Sequence, residues 1–280
     1  MTSPTVPRLP GSCALDEVIE ATEEAGAVII EDWIAPSVLG AFNEQIEPWL
    51  AAHPGTDSGS AASNDFLGRN TRRLQGLLAK APAFLDVLLD ERLGGLAEHV
   101  LGPISPGLLM NNGEVIDIGP GEPAQPMHRD DDGWNFAYPG GPMIVNSILA
   151  LEDITPEMGA TLVVPGSHRW PAERLPTATE VVAGDLPAGA GLLFRGDVLH
   201  AGGHNRSDRR RRALSTALCC GWLRPVENSY LNLSRELVGT LPPRARALLG
   251  YELFDASEHG GGFLGYWEMG DPARILDARG

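Results

Sequence analysis

Cysteine is scarce in this 280-residue chain: Cys13, Cys219 and Cys220 are the whole supply. Three thiols without Cys-x-x-Cys spacing make no disulfide framework, and they suit a reducing cytoplasm. Basic charge is thin as well, 21 Lys and Arg against 37 Asp and Glu, for a net charge of −16. Such a chain repels phosphate backbones and anionic membranes, so neither nucleic acid nor a membrane is an expected partner. Lysine occurs once, as Lys80. No apolar run approaches the ~18 residues that span a bilayer, and the polar, proline-rich start carries no secretion pattern. With 43% hydrophobic residues the chain can still bury a sizeable core. A small-molecule ligand is the expected partner.

Residues 15–25 read as a helix closed by Gly26, followed by a β-branched strand over 27–31. A second helix over 36–52 carries Val38, Leu39, Phe42, Ile46 and Trp49 at helical spacing. Residues 54–64 are polar and small, a loop or a lid over a site. Residues 81–101 hold one or two helices, broken near Gly94 and Gly95. From there the texture changes to short apolar runs (114–118, 143–150, 161–164, 191–194, 212–218) separated by Gly, Pro and Asp turns. That spacing predicts an antiparallel sandwich or barrel, a β core over about 105–225 with helical parts before and after it, in one domain spanning 1–280.

Within that core, Gln125-Pro-Met-His-Arg-Asp130 sets His128 and Asp130 two residues apart. On a strand, residues i and i+2 share a face. An imidazole and a carboxylate on one face, joined by a distant histidine such as His200, make the donor set of non-haem iron(II) oxygenases. With 7 His and 37 acidic residues, roughly one His-x-acid arises by chance, so the neighbours must carry the case. A strand, a turn and a returning strand after His200 lay Arg211 beside the same wall, with the small residues Ala213, Ser215 and Ala217 on its face. An inward Arg211 then has room for a compact dicarboxylate, gripped at both oxygens of one end.

Four blocks together resemble the bacterial and fungal members of the phytanoyl-CoA dioxygenase family of Fe(II)/2-oxoglutarate oxygenases: 118–130, Asn146 through Gly159 to His168, 200–207, and 211–215. The resemblance implies a double-stranded β-helix, the jelly roll shared with cupins. It implies iron(II) on His128, Asp130 and His200, and the distal carboxylate of 2-oxoglutarate on Arg211. Gln125 resembles an amide that meets the other end of that co-substrate, Thr161 matches a position lining the same pocket, and Arg72 lies where some members place a polar contact. Asp130 stands where related halogenases carry a small residue, which disfavours halogenation. O2 would be consumed and 2-oxoglutarate released as succinate and CO2, with hydroxylation or desaturation of a small, largely apolar compound of specialised metabolism. A homodimer is common among similar proteins.

Two other classes remain open: a cupin-like metal-binding protein without oxygenase activity, and a zinc-dependent hydrolase or isomerase on the same barrel. Other features read more plainly. His168 braces a turn and His204 follows the ligand in one. Asp131 and Asp132 are turn residues, since the alternate spacing of a calcium loop is absent. Arg209 to Arg212 form no nucleic-acid patch in so acidic a chain. Cys219 and Cys220 are buried thiols of a strand. Trp134 and Phe136 belong equally to a substrate-pocket wall or to the core.

Overall fold

A computed structural model describes residues 4–279 except 54, 56, 135–137, 139 and 140. Besides a small C-terminal hairpin (Phe254–Asp255 with Phe263–Leu264), its strands are β1 (Arg8–Leu9), β2 (Ala27–Ile30), β3 (Thr71–Leu74), β4 (Leu108–Ile118), β5 (Ile144–Ala150), β6 (Thr161–Val163), β7 (Val182–Gly184), β8 (Gly191–Arg195), β9 (His200–Ala201) and β10 (Arg211–Cys220). Seven of them form one sheet in the order β1-β2-β8-β5-β10-β4-β3, and β7-β6-β9 form a second. The two sheets face each other as the jelly-roll core. Every pairing is antiparallel except β1 with β2.

The larger sheet sorts its side chains by strand alternation. Val28, Val145, Leu149, Leu193 and Leu214 face outward into a helix-covered cluster. Ile29, Ile148, Leu192, Phe194 and Ala213 face inward, against Val163 and Leu186 from the smaller-sheet side. All seven residues of β5 are buried because both faces are covered, which explains why its sequence is apolar on both faces apart from Asn146 and Ser147.

The β core begins earlier than residue 105. The strands β1, β2 and β3 belong to the larger sheet, so the N-terminal part supplies strands as well as helices. That part folds as α1 (Leu15–Ala25), α2 (Pro36–Ala51), α3 (Ala61–Leu67), α4 (Leu77–Lys80), α5 (Phe84–Leu88) and α6 (Glu91–Leu101). Gly26 ends α1 with φ of 78°, its N–H donating to Thr22 O, the left-handed cap that glycine adopts without penalty. The helix break expected at Gly94 and Gly95 is absent. The breaks fall earlier, between α4, α5 and α6, and α6 starts where Asp90 accepts the N–H groups of Arg92 and Leu93. Gly95 serves packing instead: a Cβ there would lie 2.4 Å from Leu15 Cδ2, so its bareness lets α1 sit close. Among the described residues no helix is long and apolar enough to cross a membrane.

Candidate metal centre

Between the sheets, where the apolar filling stops, lies a cavity of about 900 Å³. His128, Asp130 and His200 all line it, with ligand-capable atoms within 4.8 Å of one another. His128 and His200 face each other across an antiparallel bridge, each N–H donating to the other's carbonyl at 3.0 Å. Their rings stand 4.4 Å apart. Asp130 reaches both, Oδ1 to His128 Nε2 at 3.6 Å and Oδ2 to His200 Nε2 at 3.5 Å.

The path to this cluster differs from simple strand alternation. His128 occupies a single bridge, and Asp130 opens a 3-10 turn, Asp130–Trp134, that swings its carboxylate back over the imidazoles. Asp131 is also more than a turn residue. Its Oδ1 accepts the Met143 N–H at 3.1 Å while its own N–H donates to Gly196 O at 3.2 Å, fastening the turn to the larger sheet. Burial pushes its carboxyl up to about 7.

Both imidazoles are oriented by the main chain. His128 Nδ1 lies 2.9 Å from Pro126 O and His200 Nδ1 3.0 Å from Val198 O. A carbonyl only accepts, so each Nδ1 carries a proton, and Nε2 is the nitrogen left on each ring to bind a metal. Burial, and then the neighbouring His200, hold His128 below its usual pKa, against the pull of Pro126 O, Asp130 and Asp132. The neutral form, the one able to bind a metal, is thereby favoured. Two imidazoles and one carboxylate suit iron(II).

Arg211 is buried in the wall of the same cavity, 3% exposed. Its Nη2 donates to Thr161 Oγ1 at 3.1 Å, and its Nε has no hydrogen-bond partner among the described residues. Among the described residues no carboxylate forms an ion pair with it. Burial, and then the like charge of Arg73, lower its pKa to about 10, so the guanidinium stays charged at neutral pH. A buried cation without a counter-charge is costly. An anionic ligand in the cavity removes that cost.

The remaining sequence candidates divide. Thr161 lines the cavity beside Arg211. Gln125 lines it too, but both ends of its amide are taken: Oε1 accepts the Gly202 N–H at 2.8 Å and Nε2 donates to Phe66 O at 2.9 Å. It therefore ties α3 to the strand of His200, with one of its two amide hydrogens engaged. Arg72 points the other way, its Nε 2.6 Å from buried Asp117 and its Nη1 on Leu50 O. The cavity receives Arg73 from this strand, paired with Glu114. Trp134 stands in the wall, its Nε1 donating to Arg224 O, while Phe136 lies outside the described residues. Phe66, from α3, packs edge-on to His128 at 4.9 Å between ring centres. The segment 54–64, read as a loop or a lid, thus runs into a short helix, Ala61–Leu67, that brings Phe66 and Leu67 to the cavity. His168 has its Nε2 near Glu23 O, away from the cluster, and His204 is exposed.

Sequence reasoning passed over Asn146. It lies on β5 between the cavity-lining Ile144 and Ile148, and it is 3% exposed. A lone amide alternating with isoleucines on one face of a buried strand was the available signal.

Comparison with known proteins points the same way. The family model described as phytanoyl-CoA dioxygenase (PhyH) matches residues 22–213. The multifunctional dioxygenase prhA of Penicillium brasilianum is 32% identical over 267 residues, covering 90% of this chain and 87% of that protein. The dioxygenase FrzG of a Cladobotryum species is 34% identical, covering 87% of each. Among solved structures, the non-haem α-ketoglutarate-dependent carbocyclase SnoK from nogalamycin biosynthesis superposes with a TM-score of 0.60 at 19% identity, over 81% of this chain and 94% of that one. The epimerase SnoN, solved with Fe3+, α-ketoglutarate and nogalamycin RO, gives 0.59 at 18%, over 82% and 90%. At these identities the structural likeness is one of fold.

Proposed function

Because this chain belongs to the phytanoyl-CoA dioxygenase family, we propose that its cavity is the centre of an iron(II)- and 2-oxoglutarate-dependent dioxygenase acting on a small, largely apolar metabolite. One observation carries the reading: a His-Asp-His cluster and a buried guanidinium with no acidic partner among the described residues share one cavity. A protein that merely holds metal has no use for that guanidinium. His128, Asp130 and His200 hold the iron, and Arg211 with Thr161 clasps the distal carboxylate of 2-oxoglutarate. Once bound, the iron and the keto acid supply the activation of O2, with succinate and CO2 as by-products.

The chain's own residues do the rest. Pro126 O and Val198 O keep the two Nε2 atoms aimed before any metal arrives. The buried setting of Arg211 strengthens its hold on a carboxylate, because little water screens the pair. Phe66, Trp134, Ile144, Ile148 and Phe194 give the cavity its apolar lining, which excludes water and suits an apolar substrate. Asp130 fills the carboxylate position, so hydroxylation or desaturation is favoured over halide transfer. The relatives' names as dioxygenases, and the biosynthetic setting of SnoK and SnoN, support a substrate from specialised metabolism. Three free, buried cysteines fit a cytoplasmic enzyme.

The test needs no substrate. Titrating the full chain anaerobically with Fe(II) and 2-oxoglutarate is expected to produce the visible charge-transfer band of the chelate. Admitting O2 should then give slow, iron-dependent succinate release. Both are expected to vanish in Asp130→Ala, and a wild-type protein that shows neither overturns the reading.

A further inference from the structure

Four arginines line the cavity, Arg73, Arg129, Arg211 and Arg224, and three of them are engaged. Arg73 pairs with Glu114, Arg129 donates to the carbonyls of Asp197, Ala172 and Ser167, and Arg211 donates to Thr161. Arg224 differs. Its side chain is exposed, and among the described residues its guanidinium has neither an ion pair nor a hydrogen bond. Its carbonyl accepts from Trp134 Nε1 at 3.2 Å, which fixes the backbone that carries the guanidinium beside an indole of the cavity wall. The acidic groups of the lining are directed elsewhere. Asp65 pairs with Arg69 and Glu114 with Arg73, Glu122 accepts from Asn70 and Thr71, and the charge of Asp132 acts on His128.

Register separates Arg224 from the place of the co-substrate. The Val226 N–H donates to Asn111 Oδ1 at 3.0 Å, and Asn111 is the extra residue of β4 at the bulge facing Ala217 and Leu218. That point is six residues along β10 from Arg211, roughly 20 Å at strand rise. Across the sheet, the His200 ring lies 4.6 Å from that of Phe194 on β8, and β5 and β10 stand between β8 and β4. Three strand spacings make roughly 14 Å. Arg224 therefore faces the metal cluster from the far side of the cavity. Resting on the reading of the cavity given above, we infer that Arg224 is a specificity-determining residue that receives a carboxylate of the substrate. The apolar remainder of that substrate lies along Trp134 and Ile144 toward the cluster. The substrate class is an apolar carboxylic acid, oxidised at a carbon remote from its acid group. A guanidinium grips such a group at both oxygens. In a chain of net charge −16 the overall field repels an anion, so a local cation at the mouth is what admits one.

The test pairs straight-chain carboxylates, hexanoate through decanoate, with their primary amides, which match them in length and lack the charge. Calorimetric titration of the full chain, loaded anaerobically with Fe(II) and 2-oxoglutarate so that Arg211 is occupied, should show the acid bound at least about fivefold tighter than its amide. Added salt should shrink that preference. It is expected to fall to about one in Arg224→Met, to return in part in Arg224→Lys, and to persist in Arg206→Met, which alters an exposed arginine outside the cavity lining. The melting temperature and the 2-oxoglutarate Kd of Arg224→Met should stay at the wild-type values. A wild-type protein without acid preference across the series, or a preference that survives Arg224→Met, overturns this assignment and leaves the dioxygenase reading standing. Absence of the charge-transfer band overturns that reading instead, and the same titration of metal-free protein then decides Arg224 by itself.

Discussion

Adjacent arginines at the start of β10 meet opposite fates. Arg210 and Arg212 turn to the outer face of the larger sheet and, with Arg72 from β3, surround Asp117, a carboxylate with no exposed surface. Register explains the meeting, since Arg72 and Arg212 are the direct cross-strand neighbours of Asp117. Arg211, between them, turns inward to a cavity, where among the described residues its guanidinium hydrogen-bonds the Thr161 hydroxyl and ion-pairs with no carboxylate. The outer node sets three guanidinium groups around one carboxylate whose hydrogen bonds go to Oδ2, whereas the inner guanidinium has no carboxylate ion-paired to it among the described residues. A charge that serves the fold arrives with its partner, while a charge that serves a ligand waits for one.

Substitutions sharpen that contrast. Asp117→Ala strips the shared counter-charge from three guanidinium groups, and breaking a buried pair from one side is expected to destabilise the protein by about 3–5 kcal/mol in urea unfolding. Arg211→Met should do the reverse to the ligand-free protein, leaving stability level or higher by removing an unpaired buried cation. The same change is expected to weaken 2-oxoglutarate binding about a hundredfold or more by anaerobic titration. An Arg211→Met variant that unfolds as readily as Asp117→Ala erases the distinction. Arg72→Met is the mildest case. Asp117 keeps Arg210 and Arg212, so the loss should be about 1–2 kcal/mol. Because this side chain faces away from the cavity, the 2-oxoglutarate Kd should stay within about twofold, and a larger rise would return Arg72 to the site.

Strand parity decided how much of this was readable from the amino-acid order. On β10, the alternation of Arg211, Ala213 and Ser215 with Arg212 and Leu214 was enough to turn Arg211 inward, and Arg211 and Ser215 do line the cavity. On β3, the run Thr71, Arg72, Arg73 has no apolar residue between its arginines to fix its faces. The choice between Arg72 and Arg73 was settled by Asp117 and Glu114, which are distant in sequence. The apparent break at Gly94 and Gly95 misled for a related reason: glycine usually weakens a helix, but here Leu15 of another helix requires the missing side chain. Gln125 and Asn146 show the limit most sharply. Both are amides lining the cavity, and only the three-dimensional accounting of their partners shows that Gln125 spans Phe66 O and the Gly202 N–H while Asn146 Nδ2 has no hydrogen-bond partner among the described residues.

The carbonyl anchors of Pro126 and Val198 have a consequence for how this protein changes over time. Since peptide oxygens fix the orientation of both imidazoles, no exchange of a neighbouring side chain deletes those anchors. The walls around Ile144, Ile148 and Trp134 are then free to be recut for new molecules while the reactive core stays as it was. Innovation in substrate and constancy in chemistry become separable within one scaffold.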